Sequence, residues 1–339
     1  MNKRIIWLFG VVSIIALLAS CGSRNNKATR NFEQALSTSD SISLLTSDIK
    51  KDSSNYNLWK ERAKLYLKRG NVDFAFRDLG RALDLNNNDP ELYILLSDIY
   101  FTIGKVDESF SAIKKAIDME PQNPESYLKM ARFKLILESY KQAVSYADKV
   151  LSLEPENPEA YYIKAISALE QKDTATAITL MKVAANYDTA FYAANFNLGV
   201  VLDARHDTMA KVYFEKAIKN KPDDVIARYS LGLFYQKQKQ FDKAFKVYDE
   251  LIAIHPDNAA TYFNKGFIYL TDLLEFEKAE TQFKKAIEVK PDYTAAVYNL
   301  GRTYEVMGDT ARAEQKYREA LKLTTNYPLA IEGLNRLEK

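Results

Sequence analysis

Residues 225–258 read VIARYSLGLFYQKQKQFDKAFKVYDELIAIHPDN. Leu231, Gly232 and Tyr235 share one face of a first helix, and Ala244, Tyr248, Leu251 and Ile252 share one face of a second. Phe241 sits in the turn between them and Pro256 closes the segment. Small residues set among large ones let two helices approach closely while the large ones fill the space beside them. One such segment is a helical hairpin; its meaning depends on whether it recurs.

It does recur. Alanine returns at Ala75, Ala143, Ala177, Ala210, Ala244, Ala279 and Ala313, with Ser109 in the missing slot, in steps of 33 to 35 residues. Seven residues on, a second series runs Ala82, Ala116, Val150, Ala184, Ala217, Leu251, Ala286 and Ala320. Pro121, Pro155, Pro222, Pro256 and Pro291 keep the same phase. Helix starts are legible too. Asp89-Pro90-Glu91, Asn123-Pro124-Glu125 and Asn157-Pro158-Glu159 each give a capping side chain, a first-turn proline and a first-turn acid.

This 34-residue pattern, repeated eight times over residues 56–327, resembles the tetratricopeptide repeat. The resemblance implies an all-α fold, a right-handed α-solenoid of about eight helix-turn-helix repeats. The fifth unit is one residue short around Arg205-His206-Asp207, and the seventh is one residue long around Asp272 to Glu275. Open solenoids need shielded ends. Ile42, Leu45 and Ile49 place an N-terminal capping helix within 38–55, and residues 328–339 form the C-terminal one.

The N-terminus carries a different message. Lys3 and Arg4 precede an apolar run of 14 residues, Ile5 to Leu18, too short for a comfortable membrane span and laid out as a signal peptide over residues 1–20. Leu18-Ala19-Ser20-Cys21 holds the only cysteine of the chain and resembles the lipobox of bacterial lipoproteins, in which cleavage precedes an acylated cysteine. That resemblance implies lipidation at Cys21. Residues 21–37, polar and aperiodic, are expected to be a flexible tether. Gly22 after the cysteine, and no acid before Glu33, are similar to the outer-membrane, periplasm-facing sorting pattern.

Composition narrows the function. The formal charge of +2 comes from residues that the cleavage would remove, so bulk electrostatics excludes a nucleic-acid partner. His206 and His255 have no metal-ligand motif beside them, and no phosphate loop or nucleophile motif occurs. No cofactor, metal or catalytic residue is expected, and the chain is not expected to be an enzyme.

In the tetratricopeptide family the first helices line the concave face. Repeats four to seven pair an aromatic with an apolar residue one turn on: Tyr162 and Ile166, Phe196 and Val200, Tyr229 and Leu233, Phe263 and Phe267. Tyr298 and Arg302 continue the series, and Asn197, Asn264 and Asn299 lie next to the aromatics. An exposed apolar stripe of this size marks a partner groove, or else packing between repeats or self-association. The asparagines resemble those that hold peptide backbone in some relatives, since an amide both donates and accepts. In the first repeat Lys60, Lys64 and Lys68 form a basic stripe with Arg62 and Arg69 nearby. It is either a solvated face or a contact for acidic headgroups or an acidic peptide end. The carboxylate clamp of chaperone-binding relatives is not matched, because Lys64, Leu95 and Glu125 stand at its positions.

The resulting expectation is a lipid-anchored cell-envelope scaffold, attached to the membrane through Cys21, that binds a protein or peptide partner. The alternative is a solute- or glycan-binding outer-membrane lipoprotein. The single tryptophan left after cleavage, Trp59, speaks against it.

Overall fold

The computed structural model describes residues 30–338, with side chains from Ser41 on. The signal peptide and Cys21 lie outside the described residues. Eighteen α-helices, and no strand, occur among the described residues. The chain divides into two compact units, up to Val201 and from Leu202.

The first unit opens with α1 (Arg30–Lys51). Four hairpins follow: α2 (Tyr56–Lys68) with α3 (Val72–Leu85), α4 (Pro90–Thr102) with α5 (Val106–Met119), α6 (Pro124–Ile136) with α7 (Tyr140–Leu153), and α8 (Pro158–Glu170) with α9 (Thr174–Tyr187). Helix α10 (Tyr192–Ala204) carries the division between the units. The second unit continues with α11 (Ala210–Asn220), α12 (Val225–Lys237) with α13 (Phe241–Ile254), and α14 (Ala259–Ile268) with α15 (Phe276–Val289). It ends with α16 (Thr294–Val306), α17 (Thr310–Leu323) and α18 (Pro328–Leu337). The paired helices fall where the repeat phase places them. One boundary differs: α1 begins at Arg30, so the segment expected as tether is helical from there on.

Six first helices start on a side-chain cap: Asn55, Asp89, Asn123, Asn157, Asp224 and Asn258 each accept from an amide of the opening turn. Tyr293 and Tyr327 occupy the same slot without a side-chain cap bond. There the ring packs instead on the first-helix aromatic of the preceding repeat, Tyr293 on Phe263 at 5.2 Å and Tyr327 on Tyr298 at 5.8 Å between centroids. Phe191 meets Tyr162 in the same way at 5.2 Å. A cap and an aromatic contact are each worth about 1 kcal/mol, so the exchange is nearly even.

Inside each hairpin a small residue on the first helix faces a side chain on the second. In the first unit Ala63 shares a core cluster with Leu79, and Ser97, Ile113, Ala165 and Met181, at the same 16-residue offset, are likewise completely buried. In the second unit glycine takes the small slot and a ring fills the large one. A Cβ on Gly232 would lie 2.3 Å from the Tyr248 ring; one on Gly266 or Gly301 would lie 2.9 Å from Phe283 or Tyr317. Tyr248, Phe283 and Tyr317 are completely buried as a result.

The turn between paired helices closes through a left-handed residue. Gly70, Gly104 and Gly308 supply it freely, with φ of 77°, 77° and 81°. Elsewhere Glu138, Lys172, His206, Lys239 and Leu274 adopt φ between 54° and 67° without that freedom. The two length changes expected from the sequence are absorbed here. In repeat five α11 is shortened to 11 residues where other second helices have 14. In repeat seven the extra residue widens Tyr269–Leu273 into a π-turn ending at left-handed Leu274.

Candidate functional site

Successive first helices build one face of each unit, and ion pairs cross it in both, as Lys237 to Asp203 and Arg336 to Glu305 do in the second. In the first unit it is stitched by ion pairs between successive repeats. Lys60 on α2 reaches Asp89 at 2.8 Å and Glu91 at 2.9 Å, at the start of α4. Lys64 reaches Glu61 at 2.9 Å and Glu91 at 3.4 Å. Lys129 on α6 reaches Asp98 on α4 at 2.8 Å, and Arg132 grips Glu159 on α8 through two hydrogen bonds. Burial pulls the Lys60 ammonium down, but the two carboxylates outweigh it and hold its pKa above the ordinary value. The basic stripe, read as either a solvated face or a contact for acidic headgroups or an acidic peptide end, is therefore neutralised within the fold at Lys60 and Lys64.

Repeats four and five close much of the expected groove. Tyr162 is completely buried, Ile166 and Phe196 are nearly so, and only Val200 is half-buried. Asn197 donates through Nδ2 to the Tyr162 hydroxyl at 2.8 Å and to the Ala193 carbonyl at 2.9 Å. Burial pushes the Tyr162 phenol up. Tyr162 cannot touch a partner while this packing holds. Its part is to fix the register of the next repeat.

The second unit repeats the device and then departs from it. Asn264 donates to the Tyr229 hydroxyl at 2.8 Å, 35 residues away as in the first case, and lies 3.4 Å from the Tyr248 hydroxyl. Asn299 donates only to its own helix, at Ala295, because Phe263 offers no hydroxyl. The amide hydrogens of Asn197 and Asn264, expected to hold a peptide, are thus spent inside the fold, and Asn299 commits one of its two. Tyr298 is buried against Tyr317 and Tyr327, at 5.6 and 5.8 Å.

What stays open is narrower than the sequence indicated. Tyr229, Leu233, Phe263 and Phe267 are half-buried and Arg302 is exposed. Phe263 touches Phe267 at 6.2 Å, Phe283 at 5.7 Å and Tyr293 at 5.2 Å. Tyr293 was not singled out from the sequence. Burial and the neighbouring Tyr229 and Tyr327 push its phenol up to about 12. Its signal was an aromatic in a slot where most repeats carry a capping Asn or Asp. Beyond it, Tyr298, Arg302, Glu305, Val306 and Arg336 line a cleft of ≈ 450 Å³.

His206 is the left-handed turn residue of repeat five, and His255 lies 3.3 Å from the Asp223 carbonyl. Among the described residues no three His, Cys, Asp or Glu side chains are grouped to hold a metal ion. None of the described helices is long and apolar enough to cross a membrane.

Comparison with known proteins agrees with this architecture. A family profile described as Tetratricopeptide repeat matches residues 128–191, 210–259 and 268–328, more than half of the chain. A second profile of the same description matches residues 90–123. The chain belongs to the tetratricopeptide repeat family. No curated protein matches it significantly in sequence. Among solved structures it is similar to the C-terminal part of a tetratricopeptide repeat-containing protein from Cytophaga hutchinsonii, with a TM-score of 0.61 and 19% identity over 70% of this chain and 98% of that one. It is also similar to PilW, described as a widely conserved type IV pilus biogenesis factor, with a TM-score of 0.52 and 17% identity over 59% of this chain and 94% of that one. Both likenesses concern the fold.

Proposed function

We propose that the chain is a lipid-anchored scaffold of the bacterial cell envelope that captures a protein or peptide partner on the first-helix face of its second unit. The observation that carries the binding reading is the half-buried apolar run Tyr229, Leu233, Phe263 and Phe267, ending at exposed Arg302. Interior packing leaves these side chains partly open, whereas Phe214, Tyr248, Phe283 and Tyr317 in the same unit are sealed. Anchoring rests on the signal-peptide layout and on Cys21 in its lipobox. The outer membrane, facing the periplasm, is the location that fits Gly22.

Phe263 also packs on Phe283 and Tyr293, so replacing it would loosen the repeat. Leu233→Ser with Phe267→Ser is the cleaner probe. Site-specific crosslinking in cells from exposed position 302 should trap a defined partner, and the double variant should reduce its yield about tenfold or more while circular dichroism stays helical. Retained capture would reject the surface. A melting shift with oligosaccharides that this variant abolishes would favour the glycan-binding alternative. Fatty-acid labelling that disappears in Cys21→Ala checks the anchor separately.

A further inference from the structure

Residues 68–77, KRGNVDFAFR, form the turn of the first repeat and the start of α3. Lys68, Arg69, Phe74, Phe76 and Arg77 are all exposed, the two rings by 47% and 44%. Repeat packing does not ask for a ring at position 74. Apart from Met209, the same slot holds exposed polar side chains in later repeats: Glu108, Gln142, Thr176, Lys243, Lys278 and Arg312. A cation lies over the first ring, and another over the tyrosine that the second ring touches. Phe74 stacks on Tyr66 at 5.2 Å, and the Arg77 guanidinium lies 4.7 Å over it. Phe76 meets Tyr100 edge-on at 5.8 Å, and Lys105 Nζ lies 6.0 Å from the Tyr100 ring. The acids of this edge are Asp73, Asp107 and Glu108, the last 3.8 Å from Lys105. Within 68–77 three cations stand against the single Asp73.

We propose that this edge docks on an anionic lipid surface, with Phe74 and Phe76 entering the interface and Lys68 and Arg77 meeting the headgroups. Aromatic side chains projecting from a turn and flanked by cations suit a fluid, negatively charged interface. An acidic polypeptide would use the cations but would leave two protruding rings without a shaped pocket. Lipid anchors also gain stability from a second, basic signal beside an acyl chain. The proposal therefore deepens the lipid-anchored reading and rests on it for its setting. It moves the membrane contact away from the neutralised Lys60 and Lys64 to the turn edge.

The test uses the full chain carrying Cys21→Ser, so that no acyl chain contributes. An environment-sensitive dye is attached at Asn71→Cys, where the native side chain makes no capping bond. A control dye at Gln122→Cys sits beyond the far end of α5, a 14-residue helix about 20 Å long. Vesicles of phosphatidylglycerol and phosphatidylethanolamine are compared with phosphatidylcholine. The dye at 71 should shift to the blue on the anionic vesicles only, with the dye at 122 unmoved. Phe74→Ser with Phe76→Ser, and separately Lys68→Glu with Arg77→Glu, should each weaken the response about tenfold with helicity unchanged. No shift at 71, equal shifts at both sites, or equal shifts on neutral vesicles overturns the proposal. So does a shift with polyglutamate alone, which would assign the edge to an acidic polypeptide. Because Cys21 is absent from this assay, failure of fatty-acid labelling and failure of docking remain separate results.

Discussion

At the scale of single residues, one substitution has opposite signs at two glycines. Gly232→Ala drives a methyl into the Tyr248 ring, which is completely buried and tied by its hydroxyl to Gln236 at 2.8 Å. Overpacking of this kind costs about 1–3 kcal/mol, more than the ~1 kcal/mol that alanine returns in helix propensity. Gly80→Ala meets nothing within 4 Å on α3 and should stabilise by about 0.5–1 kcal/mol. Urea unfolding of both variants checks the pair. Lys172, left-handed at φ 67°, offers a third case: Lys172→Gly should raise stability by up to about 1 kcal/mol in the same assay. The sequence displayed Gly232 as a small residue opposite Tyr248. It could not display that Asn197 and Asn264 spend their amide hydrogens on tyrosines 35 residues earlier. A residue type and a helix face do not say whether an amide's partner is a ligand or a neighbouring repeat.

At the scale of elements, the register between repeats rests on few polar contacts. Tyr162→Phe removes the hydroxyl that Asn197 reaches and leaves a buried amide short of a partner, at a cost of about 1–3 kcal/mol. A double-mutant cycle with Asn197→Ala should return a coupling well above the scatter for independent sites. Helix α1 is held through Arg62, which binds both oxygens of buried Asp78, at 2.6 and 2.9 Å, and also donates to Thr46 at 3.0 Å. Asp78→Ala strands that guanidinium and should cost about 3 kcal/mol in thermal unfolding, with hydrogen exchange rising first in α1. Helix pairing was legible because caps, prolines and small residues repeat at fixed offsets. The start of α1 was not, because Phe32, Ala35 and Leu36, although at i, i+3 and i+4, make too short a period beside the polar stretch before them to mark a helix.

At the scale of the whole molecule, the chain ends and the solution conditions matter together. Glu305 on α16 accepts from Arg336 on the last helix at 2.8 and 2.9 Å and from the Tyr317 hydroxyl on α17. The Arg336 hydrogen bonds hold its carboxyl below the ordinary value of 4.5. A carboxylate lowered in this way stabilises the fold above its unfolded pKa. That contribution disappears as pH falls through the folded one. Acidification from neutral through the carboxylate range should therefore loosen the C-terminal helix first, and Glu305→Gln should flatten that part of the pH profile. The size is about 1 kcal/mol or less, since Arg336 is half exposed and solvent screens the pair. Melting curves followed by exchange at α18 measure it.

The matched glycine and ring of the second unit also bear on how such a chain can lengthen. Gly232 and Tyr248 are 16 residues apart within one repeat, as are Ala63 and Leu79 in the first unit. Copying a whole repeat carries both halves of the match, so duplication at repeat boundaries leaves every hairpin filled. A crossover in the turn between paired helices separates them. Joining α2 to α13 would press Ala63 against a tyrosine, and joining α12 to α3 would leave Leu79 facing the empty side of a glycine. Recombination is therefore silent at one kind of junction and costly at the other. Chimaeras cut at both, compared for soluble expression, would map that grammar directly.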